Sequence, residues 1–274
     1  MPTNSASPIG VFDSGLGGLT VARAIQDALP GEDLVYLGDT ARVPYGTRSP
    51  ETITRYARSC ARKLEEHGLK YLVVACNTVS AVALDMLRVE LDMPVLGVIE
   101  PGARAGISAT RKKHLGVIAT HGTIASGAYV RAVAGIDSRI ELISQPAPLL
   151  VPLVEEGWTS GEVPRLAVRR YLEAFRNESI DALVLGCTHY PLLAETIRAE
   201  AADVCGTPVT VVDSARATAL ELDHMLQERG MKNPRTSGGT LSLLVTDLPG
   251  RFRDVASRFL GLDVETVHVE QVDL

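Results

Sequence analysis

The sequence predicts an α/β fold of two pseudo-symmetric domains, each a largely parallel sheet flanked by helices, with the active site between them. Three observations carry this. Short, near-continuous apolar runs alternate with longer amphipathic stretches, the pattern of parallel sheets covered on both faces. Two of the runs end alike, in Val73-Val74-Ala75-Cys76-Asn77-Thr78 and Val184-Leu185-Gly186-Cys187-Thr188-His189, with the cysteines 111 positions apart. A weak repeat, Gly10-Val11-Phe12-Asp13-Ser14-Gly15 against Gly116-Val117-Ile118-Ala119-Thr120-His121-Gly122, has a similar offset of 106.

The elements follow in order. Apolar runs predict strands at Ile9–Phe12, Leu34–Leu37, Tyr71–Ala75, Val95–Val98, Leu115–Ala119, Ile140–Ser144, Ala182–Gly186, Val209–Val212, Leu241–Thr246 and Glu265–Val269. Helical periodicity predicts helices over stretches such as 19–29, 51–67, 79–91, 162–176, 190–203 and 214–229. Ser49-Pro50-Glu51 supplies an N-cap, a proline for the first turn and an acid there. Thr159-x-x-Glu162 has capping-box spacing. Gly68 and Gly230 read as helix stops. Residues 230–239 read as a mobile loop.

Composition narrows the class. At 274 residues there is room for two cores, and 46% apolar residues exclude a disordered chain. A net charge of −6 without a basic block argues against a nucleic-acid binder. Arg111-Lys112-Lys113 reads as a solvated helix end. No apolar stretch approaches the ~20 residues of a membrane span, and Met1 to Ser7 lack signal-peptide character, so a cytoplasmic protein is expected. Four cysteines without an export signal do not imply disulfides, and neither Cys-x-x-Cys nor zinc-site spacing occurs, so no metal is expected.

Almost every predicted strand ends at a polar or reactive residue: Asp13, Asp39 (after Gly38), Cys76, Thr120, Gln145, Cys187 or Asp213. Ligands of open parallel sheets bind outside the carboxyl ends of the strands, and packing alone would not favour that edge. Asp13 to Thr20 forms a Gly-rich turn into a helix. It matches neither the dinucleotide fingerprint nor the P-loop, so it reads as a small-carboxylate site with Asp13 as acid/base or positioning group, or as a tight turn that Asp13 caps. Tyr45, in Pro44-Tyr45-Gly46, reads as a hydrogen-bond donor to a ligand or as a ring packed in a turn. His189 reads as a donor to a substrate carboxylate or to Cys187, or as a capping residue.

A lone free cysteine is usually buried and inert. Two in matched contexts suit two-base proton transfer, because a thiol near pKa ~8.5 is tuned easily by its neighbours. Cys60, inside a helix pattern, and Cys205, before a turn, read as structural.

At Asp13-Ser14-Gly15, Pro44-Tyr45-Gly46, Ala75-Cys76-Asn77-Thr78 and Gly186-Cys187-Thr188-His189-Tyr190-Pro191 the chain resembles the bacterial glutamate racemases, of the aspartate/glutamate racemase superfamily. The match runs in order from about residue 8 to about 215. The resemblance implies a cofactor-independent racemase that supplies D-glutamate for peptidoglycan. Cys76 and Cys187 would be the catalytic acid/bases, the first working on the D-enantiomer and the second on the L-enantiomer. Asp13 would assist Cys76, and Glu155 and His189 would assist Cys187. Substrate would be bound by Asp13, Ser14, Tyr45, Gly46, Asn77, Thr78, Thr188 and His189, with Thr120 and Thr123 near its carboxylates. The domains implied are 1–97 plus 210–274, and 98–209. A homodimer is expected, with glutamate as the small-molecule partner.

The family often carries a cysteine where this chain has Ala147. Glu155 has Glu156 beside it, so helix register decides which acid faces the site. An aspartate or other amino-acid racemase, a dithiol redox protein and a non-catalytic amino-acid binder are the competing readings. Substrate kinetics, disulfide formation between Cys76 and Cys187, and tolerance to loss of both cysteines separate them.

Overall fold

The computed structural model describes residues 4–261 and 268–274. The chain divides into two compact units, Met1–Val98 with Ala215–Leu274, and Ile99–Ser214.

The first unit begins β1 (Ile9–Asp13), α1 (Leu19–Ala28), β2 (Leu34–Gly38), α2 (Pro50–Glu65), β3 (Tyr71–Val74), α3 (Asn77–Val82), α4 (Leu84–Glu90) and β4 (Val95–Gly97). The second contains α5 (Ile99–Ala109), β5 (His114–Ala119), α6 (His121–Ala125), α7 (Ala128–Ile136), β6 (Glu141–Pro146), α8 (Leu150–Glu155), α9 (Glu162–Leu172), β7 (Ala182–Gly186), α10 (Ala194–Cys205) and β8 (Thr210–Asp213). The chain then returns to the first unit through α11 (Ser214–Glu228), β9 (Leu241–Val245), α12 (Pro249–Leu260) and β10 (Val269–Gln271).

Both sheets are parallel, as the continuous apolar runs require. The first has the order β10-β9-β2-β1-β3-β4 and the second β6-β5-β7-β8. The run β2-β1-β3-β4 therefore repeats as β6-β5-β7-β8. β1 corresponds to β5 and β3 to β7, which is why the two sequence repeats have similar offsets. β1, β2 and β3 are buried along their whole length. Beneath one face Phe12, Leu37, Leu72 and Val74 pack on Ile53, Ala57 and Leu64 of α2.

Several local expectations meet a different outcome. β8 pairs with β7, so Thr210–Asp213 lies in the second unit, Ile99–Ser214, beyond the expected boundary at 209. The helix expected over 79–91 starts at Asn77 and breaks at Ala83, where Ser80 Oγ turns back to the Val74 carbonyl (2.9 Å). The Thr159 capping box does not form, because Gly161 at φ 92° is the N-cap of α9 and Thr159 lies two residues too early. Ser49 does cap α2, accepting from the Thr52 amide. Gly68 and Gly230 adopt positive φ after their helices, where glycine is strain-free. The 230–239 loop is tied down rather than loose. The Asn233 amide donates to Glu32 (2.7 Å), Arg235 pairs with Asp33, and the Gly239 amide donates to the Pro30 carbonyl (2.9 Å). Residues 265–267 of the last expected strand lie outside the described residues, and β10 begins at Val269.

Candidate active site

In the first unit the candidate residues collect at the carboxyl ends of β1, β2 and β3. Asp13 closes β1 and is 1% exposed. The N-cap position of α1 itself is held by Gly18. The Asp13 Oδ2 accepts from the Gly15 amide at 2.9 Å, an Asx turn that aims the carboxylate. Gly18 makes this possible: a Cβ there would lie 2.5 Å from the Asp13 Cβ.

Cys76 follows β3 and precedes α3, with its carbonyl accepting from the Ser80 amide. Its thiol reaches the Ser14 hydroxyl at 3.4 Å. Asn77 and Thr78, buried in the first turn of α3, come with it. Asp13, Ser14 and Cys76 thus converge.

Tyr45 and Gly46 lie in a short 3-10 turn that packs against α3. The Tyr45 ring is 1% exposed and its hydroxyl donates to the Asp39 carboxylate, so it is not a free donor to a ligand. Burial first, then the nearby Cys60 and Asp39, push its phenol far above the ordinary range. Asp39, wholly buried after β2, also accepts from Arg42 (2.6 Å) and from Thr246 after β9 (3.0 Å). It is the anchor of the loop. Its place at a strand end was visible in the sequence, but its three partners, spread over more than 200 positions, were not.

In the second unit Cys187 follows β7, with Thr188 and His189 buried beside it. His189 Nδ1 lies 3.8 Å from the Cys187 sulfur, and Nε2 lies 3.0 Å from Glu155 Oε1 at the end of α8. The register question is thereby answered for Glu155. Burial works against charge on the imidazole, but the hydrogen bonds to Cys187 and Glu155 outweigh it and raise the pKa to about 10. The loop is fixed by Tyr190, whose hydroxyl donates to the Ala147 carbonyl at 2.7 Å. Ala147 contributes that carbonyl and a buried methyl, so a cysteine side chain is not needed there.

Thr120 follows β5 and caps α6, accepting from the Thr123 amide, and the two hydroxyls lie 3.0 Å apart. Tyr129 is a residue that sequence reasoning missed. Its buried ring lies against Gly186, where a Cβ would come within 3.0 Å of it. Burial and the Cys187 charge push its phenol up.

Cys60 lies wholly buried in α2, where burial pushes its thiol well up, and Cys205 ends α10 with its thiol near the Phe175 carbonyl. Both fit structural roles. Among the described residues no His, Cys, Asp and Glu side chains group to hold a metal ion, and no helix is long and apolar enough to cross a membrane.

The family profile described as Asp/Glu/hydantoin racemase matches residues 9–222. A glutamate racemase of Geobacter metallireducens is 50% identical over 253 residues, 92% of each chain. Among solved structures, glutamate racemase isoform RacE1 from Bacillus anthracis superposes with a TM-score of 0.93 at 40% identity, covering 99% of both chains. The glutamate racemase of Francisella tularensis, solved in complex with D-glutamate, gives 0.88 at 38% identity over 98% of both chains.

Proposed function

Since the chain belongs to the Asp/Glu/hydantoin racemase family and is an amino-acid isomerase, we propose that it interconverts L- and D-glutamate by cofactor-independent proton transfer between two cysteines. Starting from D-glutamate, the Cys76 thiolate takes the α-proton to leave a carbanion, and the Cys187 thiol then delivers its own proton to the opposite face. Cys76 ends as thiol and Cys187 as thiolate, the state that runs the reverse reaction.

The observation that carries this reading is the repeat itself. Each unit holds a cysteine after the equivalent strand, β3 or β7, and each cysteine has its own proton-handling neighbours. Asp13 and Ser14 serve Cys76. His189, held charged by its hydrogen bonds to Cys187 and Glu155, stabilises a Cys187 thiolate. The carbanion formed on the way needs donors around the substrate carboxylates. Ser14, Gly46, Asn77, Thr78, Thr120, Thr123 and Thr188 fill that role, and Tyr45 contributes through its backbone because its hydroxyl is committed to Asp39. The D-glutamate formed would supply peptidoglycan synthesis in the cytoplasm, and a homodimer is the expected assembly, to be read by sedimentation velocity.

Circular dichroism of either enantiomer over time in D₂O tests the proposal. Decay of the signal with deuterium at the α-carbon of the product is expected. Racemisation without label defeats it, and preference for aspartate over glutamate moves the substrate assignment.

A further inference from the structure

We infer that Tyr36 is a positioning residue for proton transfer at Cys76, acting through the Gly15 carbonyl to fix the turn that carries Asp13 and Ser14. The inference rests on the two-cysteine reading above.

Tyr36 lies in the middle of β2, fully buried, where an apolar strand residue would pack as well. A buried phenol needs an acceptor, and its hydroxyl finds the Gly15 carbonyl at 2.7 Å. Gly15 is thus held at both ends. Its amide donates to Asp13 Oδ2 and its carbonyl accepts from Tyr36. Ser14, between Asp13 and Gly15, places its Oγ 3.4 Å from the Cys76 sulfur.

The turn has no slack below it. At Gly38, the last residue of β2, an added Cβ would lie 2.3 Å from the Gly15 oxygen. Burial and the negative charges of Asp13 and Cys76 hold the Tyr36 phenol protonated far beyond its ordinary range. The group is therefore a permanent donor and not a base. Removing it frees the turn to shift, and sub-ångström placement of acid/base partners sets the rate of proton transfer.

The test is Tyr36→Phe, assayed with α-deuterated D- and L-glutamate. The two enantiomers are equal in free energy, so kcat/KM falls equally in both directions. The informative readout is the primary isotope effect measured from each side. We expect kcat/KM to fall about 10-fold or more. The isotope effect should rise from D-glutamate, where Cys76 removes the deuteron, and fall from L-glutamate, where reprotonation at Cys76 becomes limiting. Isotope effects that stay at wild-type values, or move alike from both sides, overturn the inference.

Phe252→Leu is the structural control. It disturbs the ring packed 6.2 Å from Tyr36 and spares the hydroxyl, so it should lower Tm while leaving the isotope effects as they were. If Tyr36→Phe does not fold, Gly38→Ala drives the same carbonyl and must give the same asymmetry, or the inference fails. A wild-type enzyme that does not exchange the α-proton of glutamate defeats the two-cysteine reading instead, and this inference with it.

Discussion

Glu155 Oε1 lies 3.0 Å from His189 Nε2, so one carboxylate fixes the orientation of the ring whose other nitrogen faces the Cys187 sulfur. This resembles the base-and-orienter pairs of nucleophilic enzymes, set beside a thiol proposed to move protons. Glu155→Gln should lower kcat by about 10-fold and His189→Asn by about 100-fold, within the range of single acid/base groups. Glu156→Gln should leave kcat unchanged. Steady-state kinetics of the three variants checks all three.

The same pair makes a stability prediction with a definite sign. The folded pKa of His189, about 10, lies above the free value of 6.5. The fold therefore favours the protonated ring. Its contribution is fully present below pH 6.5 and is lost as pH rises through about 10. Urea unfolding at a series of pH values should show wild type losing its advantage over His189→Asn across that window.

If the two-cysteine proposal holds, Cys76→Ala and Cys187→Ala should each reduce racemisation ~1000-fold or more, because each removes a full acid/base partner. Each should keep solvent exchange of one enantiomer only, L-glutamate for Cys76→Ala and D-glutamate for Cys187→Ala. Proton NMR in D₂O reads this directly. Iodoacetamide should label Cys76 and Cys187, which keep 6% and 5% exposure, ahead of Cys60, which has none and whose thiol burial pushes well up. Glutamate should protect both.

Gly18→Ala should destabilise the first unit by about 1–3 kcal/mol, the usual range for overpacking. The new methyl meets the backbone-fixed Cβ atoms of Asp13 and Ala75 rather than a flexible side-chain tip. Activity should fall with it, because Asp13 has to move. Thermal unfolding and kinetics on the same sample check both.

Lys70 and Glu32 form an ion pair at 0% and 1% side-chain exposure, with Lys70 also donating to the Ser5 carbonyl. Burial lowers the lysine pKa despite its partner. Lys70→Met strands the carboxylate and should cost about 3–5 kcal/mol. Lys70→Met with Glu32→Leu should cost less than Lys70→Met alone. A double-mutant cycle by urea unfolding reads the difference.

Much of this was legible in the sequence because parallel strands announce themselves. Nine of the ten strand runs lie in strands within a residue or two, and the reactive residues stand at their carboxyl ends. The helix α5 is not among the stretches named from periodicity, and its Pro101, Gly102 and Gly106 are poor helix formers. Gly106 is there for contact: a Cβ would meet Val184 of β7 at 2.6 Å. Tyr36 was hidden for the opposite reason, as one more apolar strand residue whose single polar atom faces a turn 21 positions earlier. Roles set by long-range partners, such as the bond from Thr246 to Asp39 across 207 positions, have no local signature.

The strand order carries a consequence for how the chain is made. β2 pairs with β9, from Leu34 with Leu241 to Gly38 with Val245. On a ribosome adding about 5–20 residues each second, that partner follows about 10–40 s later. The second unit, by contrast, is one unbroken stretch, and all its strands emerge in the interval. It can fold while the edge of β2 still waits, open to wrong pairing with other nascent chains. The inserted half is therefore the first whose strands are all present, and β2 lacks its β9 partner until the last strands of its own unit arrive.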